Sequence, residues 1–128
     1  MILLIDTSTP ICQVWLVDGD RRYDYQWEAN RSLARDLLAY LRDRLAEHNL
    51  TYADLKGIGV FLGPGSFTGL RIGMTVMNTL ADSLNIPIVG SADHDWREEA
   101  LTRLASGEND KLVLPEYGRA ANITAPKK

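Results

Sequence analysis

The alternation of apolar and polar residues divides the first quarter of the chain into short strands. Residues Ile2 to Ile5 form a continuous apolar run, typical of a buried central strand, and a polar loop begins at Asp6. A second strand is predicted from Ile11 to Val17, and Asp18-Gly19 indicates a hairpin turn after it. The returning strand, Arg22 to Glu28, alternates aromatic with polar side chains, which predicts a half-buried strand near the edge of the sheet.

Beyond these strands the apolar residues recur every three or four positions. Leucines from Leu33 to Leu45 predict an amphipathic helix with Asn30 or Ser32 as its cap. A short buried strand, Ile58 to Leu62, is followed by a glycine-rich run and a second helix, Ser66 to about Leu84. The remaining predicted elements are a strand from Ile86 to Val89, a helix from Asp95 to Leu104 and an extended segment from Asp110 to Tyr117.

The order of these elements predicts the fold class. Three strands, a helix, a strand, a helix, a strand and a helix give an α/β domain, with a mixed sheet of about five strands and helices packed on its faces. Ribonuclease H-like domains have this order, and so does each half of the actin-like ATPases. We therefore expect a single ribonuclease H-like domain.

Composition and charge narrow the class of protein. With 128 residues, 45% hydrophobic and 24% charged, the chain is typical of one globular domain. It has no apolar run of the roughly 18 residues that a membrane helix needs and no signal-peptide pattern, so we expect no membrane contact and a cytoplasmic location. The net charge of -3 argues against direct binding of tRNA or DNA, so a partner would hold any nucleic acid.

Two catalytic interpretations of the sequence fail on residue type and spacing. A ribonuclease H-type nuclease needs several carboxylates around two metal ions, but Asp6 supplies one and the strand ending at Leu62 supplies none. Gly63-Pro64-Gly65-Ser66 lies where a phosphate-binding loop would, before a helix N-terminus. It lacks the Walker lysine, and its next glycine, Gly69, comes one residue late for GxGxxG. We therefore predict no catalytic residue, no metal ligand and no intrinsic cofactor.

Close packing against a neighbouring element explains the two glycines of the second helix better than phosphate binding does. Gly69 and Gly73 are four residues apart on one face of the second helix, next to Val76 and Leu80. Glycine inside a helix costs about 1 kcal/mol relative to alanine, so two of them indicate a compensating contact. A second helix would supply this contact, either the one from Leu33 to Leu45 or one in another molecule, and the pattern favours neither.

Two stretches resemble motifs of a known family. ILLIDTS, residues 2–8, and GPGSFTGLRIG, Gly63 to Gly73, resemble the TsaB family, the YeaZ-like dimerization subunit of the bacterial complex that makes threonylcarbamoyladenosine in tRNA. The resemblance runs to about residue 92, and residues 115–119 resemble the family's closing strand. TsaB chains usually have a second ribonuclease H-like half. The resemblance therefore implies a minimal form, with an N-terminal domain over residues 1–92 and a remnant of the second half, one helix plus an extended segment, over residues 93–128.

The resemblance also implies a function without catalysis. A TsaB-like chain would be an inert scaffold that binds and activates TsaD through its first two helices, with TsaE joining the complex. TsaD would transfer the threonylcarbamoyl group to the tRNA adenosine beside the anticodon, so this chain would meet tRNA only indirectly. Without its partner, such a chain could pair with itself. The alternative is a stand-alone homodimerising domain that has no TsaD partner and pairs its glycine faces.

Several residues are candidates for these roles. Gly63 and Gly65 would shape the turn, and Ser66 would cap the second helix. Family analogy alone suggests ATP or ADP at the partner interface, in contact with Asp6, Thr7 and Ser8. The predicted contacts with the partner are Leu33, Leu37, Tyr40, Gly69, Gly73, Val76 and Leu80.

Overall fold

The structure, a computed structural model, describes residues 1–115. These residues form the strands and helices β1 (Ile2–Asp6), β2 (Ile11–Asp18), β3 (Arg21–Glu28), α1 (Leu33–Ala46), β4 (Gly57–Phe61), α2 (Phe67–Leu84), β5 (Ile88–Ser91) and α3 (Trp96–Ala105). Every predicted strand and helix up to α3 is present. The extended segment predicted from Asp110 to Tyr117 contains no strand as far as Pro115, and its last two residues lie outside the described residues.

The strands form one five-stranded mixed sheet in the order β3-β2-β1-β4-β5. β1 runs antiparallel to β2 and parallel to β4, and β4 runs parallel to β5. β1 lies in the centre because its apolar run can be buried on both faces, with Leu3 and Ile5 on one side and Leu4 on the other. The predicted α/β architecture is confirmed.

The β2–β3 hairpin turns one residue later than predicted. Asp18 pairs with Arg21, so the two loop residues are Gly19 and Asp20. Gly19 has φ +60°, a conformation that glycine adopts at no steric cost. The prediction of Asp18-Gly19 as the turn was therefore wrong by one position, because Asp18 still belongs to the ladder.

Helices cover both faces of the sheet. α1 and α2 lie on one face, where the four buried leucines of α1 and six buried residues of α2 meet β1, β2 and β4. α3 lies on the opposite face, where Trp96 and Ala100 pack with Leu4, Trp15 and Val89. No helix in the described part of the chain is long and apolar enough to cross a membrane.

Candidate functional site

The loop after β1 is folded tightly on itself. Oδ1 of Asp6 accepts hydrogen bonds from the backbone N–H of Ser8 at 2.8 Å and from its hydroxyl at 2.6 Å. The carbonyl of Ser8 accepts a bond from the N–H of Ser66 at 2.7 Å, which ties this loop to the start of α2. Thr7 and Ser8 are 2% and 8% exposed. The three residues predicted to touch a nucleotide thus form a closed turn, two of whose side chains are buried.

The glycine stripe packs against this same loop. A Cβ at Gly73 would lie 2.2 Å from Oγ1 of Thr7, and a Cβ at Gly69 would lie 2.3 Å from the carbonyl oxygen of Thr7. At Gly65 a Cβ would come within 2.4 Å of the Cβ of Ser8. All three positions need glycine because the loop occupies the space that any side chain would take.

This contact corrects two predictions. The glycines were expected to face a second helix, in this chain or in another molecule, whereas their neighbour is the β1–β2 loop. The alternative of a homodimer with paired glycine faces also needs a surface that Thr7 already covers. The sequence pattern was right about close approach and wrong about the neighbour.

The loop before α2 has the shape that its residues indicated. Gly63 has φ +111°, in the region that side chains rarely adopt. Ser66 is the N-cap of α2, and its hydroxyl oxygen accepts the N–H of Gly69 at 3.3 Å. By contrast, α1 begins at Leu33 after a turn of 3-10 helix, Asn30–Ser32, and neither predicted cap side chain makes a capping bond there.

The outer side of the two helices carries an apolar groove of about 350 Å³ between α1 and α2. Phe67 at its rim is 52% exposed, and the guanidinium of Arg71 lies 5.1 Å from the centre of its ring. Leu38, elsewhere on α1, is 47% exposed. The residues lining the groove are Ala34, Phe67, Thr68, Arg71, Ile72, Thr75 and Val76. We call these residues the α1–α2 groove.

Only some of the predicted partner contacts are near this surface. Leu33, Leu37, Gly73 and Leu80 are buried in the chain's own core, so the chain itself occupies their contact surface. Val76 lines the groove and Gly69 lines a neighbouring cleft; both are half-buried. Tyr40 is also half-buried but stacks on Trp27 of β3, with ring centres 4.8 Å apart. Partner contact stays a prediction for Val76, Gly69 and Tyr40.

The neighbouring cleft, about 880 Å³, lies between the β1–β2 loop and the starts of both helices. Cys12 on its wall is buried, and burial, with a smaller effect of the Asp6 carboxylate, raises the pKa of its thiol to about 12. The thiol is therefore protonated and a poor nucleophile at neutral pH. Among residues 1–115, no group of three or more histidine, cysteine, aspartate or glutamate side chains could hold a metal ion.

Comparison with known proteins identifies the family to which this chain belongs. A family model described as TsaD, tRNA N6-adenosine threonylcarbamoyltransferase, matches residues 27–97, which is more than half of the chain. The tRNA threonylcarbamoyladenosine biosynthesis protein TsaB of Escherichia coli (strain K12) is 32% identical over 131 residues, covering 94% of this chain and 56% of that protein. TsaB of Bacillus subtilis (strain 168) is 38% identical over 120 residues, covering 91% of this chain and 49% of that protein. The chain belongs to the TsaB family.

A solved structure agrees with this assignment. YeaZ from Pseudomonas aeruginosa superimposes with a TM-score of 0.66 at 33% identity, over 77% of this chain and 49% of that one. The likeness confirms the predicted ribonuclease H-like fold. The chain spans about half the length of the TsaB relatives it matches. The division into a domain over residues 1–92 and a remnant over residues 93–128 stays a prediction.

Sequence reasoning missed most of the groove of this TsaB-family chain. Phe67, Arg71 and Thr75 line the groove, but none of them is among the partner contacts predicted from the sequence. Phe67 is the first residue of α2, and its side chain is 52% exposed. Its position directly after the N-cap, with Arg71 one turn further on, was the signal available in the sequence.

Proposed function

We propose that the chain acts in the biosynthesis of threonylcarbamoyladenosine in tRNA as a non-catalytic scaffold that binds and activates TsaD. The names of its TsaB relatives support the pathway. The match to the TsaD family model supports a partner built on the same fold, because related domains often pack through equivalent surfaces.

The α1–α2 groove is the observation that carries the proposal. Large apolar side chains that stay exposed beside an open groove usually mark a surface that another molecule covers. Phe67 and Leu38 are large and about half exposed, and the groove beside Phe67 has a volume of about 350 Å³, room for side chains of a facing helix. The rim contributes polar and charged groups, Thr68, Arg71 and Thr75, as protein interfaces usually do.

The β1–β2 loop and the glycines beside it support a role without catalysis in this chain. The Asp6 carboxylate holds the loop after β1 together, and among the described residues no group of three or more histidine, cysteine, aspartate or glutamate side chains could hold a metal ion. Gly65, just before α2, lies against Ser8, and Gly69 and Gly73, within α2, lie against Thr7, so these glycines serve the packing of the β1–β2 loop. Transfer of the threonylcarbamoyl group would take place on TsaD.

The remaining parts of the assembly belong to the same proposal. A net charge of -3 fits a chain that meets tRNA only through its partner. TsaE would join once TsaD is bound. ATP or ADP at the TsaD interface would contact the exposed rim of the cleft beside the β1–β2 loop, since the side chains of Thr7 and Ser8 are buried under α2.

Replacing Ala34 with arginine tests the groove. Ala34 is exposed on α1, and arginine is a good helix former, so Ala34→Arg should fold normally while its side chain fills the groove. We expect its affinity for TsaD of the same organism to fall about a hundredfold, which corresponds to roughly 3 kcal/mol at an interface centre. Sizing of the mixed proteins and threonylcarbamoyladenosine formation by TsaD would measure the effect.

Ala105→Arg is the matched control, because Ala105 is an exposed alanine of α3 on the opposite face of the sheet. It should bind TsaD as the wild type does. Equal affinity of Ala34→Arg and the wild type for TsaD would show that TsaD binds elsewhere than at the groove. Failure of the wild type to bind or activate TsaD would overturn the proposed function itself.

A further inference from the structure

The segment after α3, residues 106–115, ends along α2 and leaves two leucines in solvent. Val113 is buried, whereas Leu112 and Leu114 on either side of it are 58% and 67% exposed. They are the most exposed of the large apolar side chains within residues 1–115. Exposed leucines that lie close together indicate a surface that another molecule covers.

The backbone of this segment is fixed at two places. Oδ1 of Asn109 accepts the N–H of Ile88 at 3.0 Å, and the N–H of Asp110 donates to the carbonyl of Ile88 at 2.8 Å, so the segment is held against β5. The side-chain amide of Asn78 on α2 forms two hydrogen bonds with the backbone of Val113, each 2.9 Å long. The two leucines therefore lie on an anchored backbone.

A depression of about 280 Å³ lies between this segment and α2. The residues that line it are Arg71, Met74, Thr75, Asn78, Val113, Leu114 and Pro115, and we call them the α2 depression. Arg71 and Thr75, about one turn apart on α2, also line the α1–α2 groove, so they form a ridge between the two. The groove and the α2 depression are thus two parts of one surface.

The α1–α2 groove alone is too small for a stable contact with another protein. Seven residues line it, whereas a protein interface of standard size contains about 20–30 residues on each side. A molecule that sits in the groove therefore has to cover neighbouring surface as well. Because Arg71 and Thr75 line both, a helix that fills the groove also touches the rim of the α2 depression.

The charges of this surface indicate which kind of molecule covers it. The groove, the α2 depression and residues 111–115 contain two cations, Arg71 and Lys111, and no acidic residue. Neither cation forms an ion pair within residues 1–115. A second copy of the chain, placed on this surface by a two-fold axis, would bring like charges together. The charges therefore favour a different protein, whose surface is apolar and carries carboxylates.

We propose that Leu112, Leu114 and the α2 depression form a second contact surface for TsaD, which covers them when it occupies the α1–α2 groove. The inference rests on the proposed function and extends the interface from the two helices to the segment after α3. In this arrangement TsaD places apolar side chains on the two leucines and at least one carboxylate beside Arg71. The competing occupants are residues 116–128 of this chain and a second copy of it.

Leu114→Asp in the full chain tests this surface. Because Leu114 is 67% exposed, the variant should unfold in urea at the wild-type midpoint, while its new carboxylate faces acidic groups of TsaD. We expect its affinity for TsaD of the same organism, measured by isothermal titration calorimetry, to fall about tenfold. Leu114→Lys, whose ammonium group can pair with those carboxylates, should lose less affinity. Thr102→Asp, at an exposed position of α3 on the other face of the sheet, is the control and should bind as the wild type does.

Cross-linking identifies the occupant directly. Leu114→Cys can be labelled selectively with a benzophenone maleimide, because Cys12, the single native cysteine, is buried. Irradiation of the labelled chain with excess TsaD should give a covalent product that contains TsaD. The same label on Thr102→Cys should give no such product.

The inference would be overturned if Leu114→Asp bound TsaD as tightly as the wild type, or if Leu114→Lys bound more weakly than Leu114→Asp. It would also be overturned by a label at position 114 that gives no product with TsaD, whether the label stays free or attaches to a second copy or to residues 116–128 of its own chain. If Ala34→Arg still weakens binding in these cases, the groove remains the TsaD site and only this inference fails. A wild-type chain that does not bind TsaD would overturn the proposed function together with this inference.

Discussion

At the scale of single residues, Gly73 is the glycine at which an added side chain would come closest to a neighbouring atom. Alanine is favoured over glycine in a helix by about 1 kcal/mol, so helix propensity alone predicts that Gly73→Ala stabilises the chain. The added methyl group would instead lie 2.2 Å from Oγ1 of Thr7, in a buried contact. We expect Gly73→Ala to lower the free energy of unfolding by about 2 kcal/mol, measured by urea denaturation.

Enlarging the space beside Gly73 should reduce this cost. In a Thr7→Ala background, Oγ1 and Cγ2 are gone and Gly73→Ala should cost at least about 1 kcal/mol less, which a double-mutant cycle would measure. Thr79→Ala, at an exposed position of α2, controls for helix propensity. A stabilised Gly73→Ala would mean that the loop after β1 does not lie against α2.

Spacing within the helix could predict that these glycines permit close approach, but it could not name the neighbour. The periodicity of α2 reports which residues share a face, whereas Thr7 lies on a loop more than sixty positions earlier in the chain. The same limit applies to Leu33 and Leu37, whose spacing fits an interface and a core equally well. Their burial is decided by the sheet beneath α1.

At the scale of secondary-structure elements, Asn78 fixes the segment after α3 to the side of α2. Its side-chain nitrogen donates to the carbonyl of Val113 at 2.9 Å, and its oxygen accepts the N–H of Val113 at 2.9 Å. Asn78→Ala removes both bonds and leaves the polar groups of buried Val113 unpaired, which should cost about 2 kcal/mol. Faster hydrogen exchange at Val113, with β4 unchanged, would show local release of the segment.

Thr75→Ala is a suitable control for Asn78→Ala, since Thr75 is an exposed residue one turn earlier on α2. Protection at Val113 that survives Asn78→Ala would mean that the segment is held by apolar contact alone. The pair of hydrogen bonds between Asn78 and Val113 could not be predicted from the sequence. The presence of an amide side chain on a helix does not indicate which distant backbone groups will form hydrogen bonds with it.

The periodicity of the sequence was enough to predict which segments are strands and which are helices, but it did not place all of their ends correctly. β5 was predicted from Ile86 to Val89 but lies at Ile88–Ser91. The helix before it ends in a left-handed residue, Asn85 with φ +56°, and the N–H of Ile86 still bonds back to the carbonyl of Ala81 at 3.0 Å. Ile86 therefore belongs to the helix end, although its side chain is as apolar as those of the strand.

At the scale of the whole molecule, α3 is part of the same core as the sheet. Trp96 packs edge-on against Trp15 of β2, with ring centres 5.7 Å apart, and lies 5.6 Å from Phe61 of β4. Ala100 is so close to β4 that a Cβ at Gly59 would come within 2.9 Å of its own. α3 covers the apolar residues on one face of the sheet, so these residues depend on it for their burial. This holds whether or not α3 is a remnant of a second half.

That dependence predicts how the chain unfolds. Trp96→Ala removes a side chain that is 6% exposed, and truncations of this size cost about 3–5 kcal/mol, a large part of the stability of a small domain. We therefore expect urea denaturation of Trp96→Ala, followed by circular dichroism, to show one transition with a much lower midpoint. Thr102→Ala, at an exposed position of the same helix, should leave the midpoint nearly unchanged. Two separate transitions, or a sheet whose stability ignores Trp96→Ala, would show that α3 folds as a unit of its own and that the chain divides near residue 92.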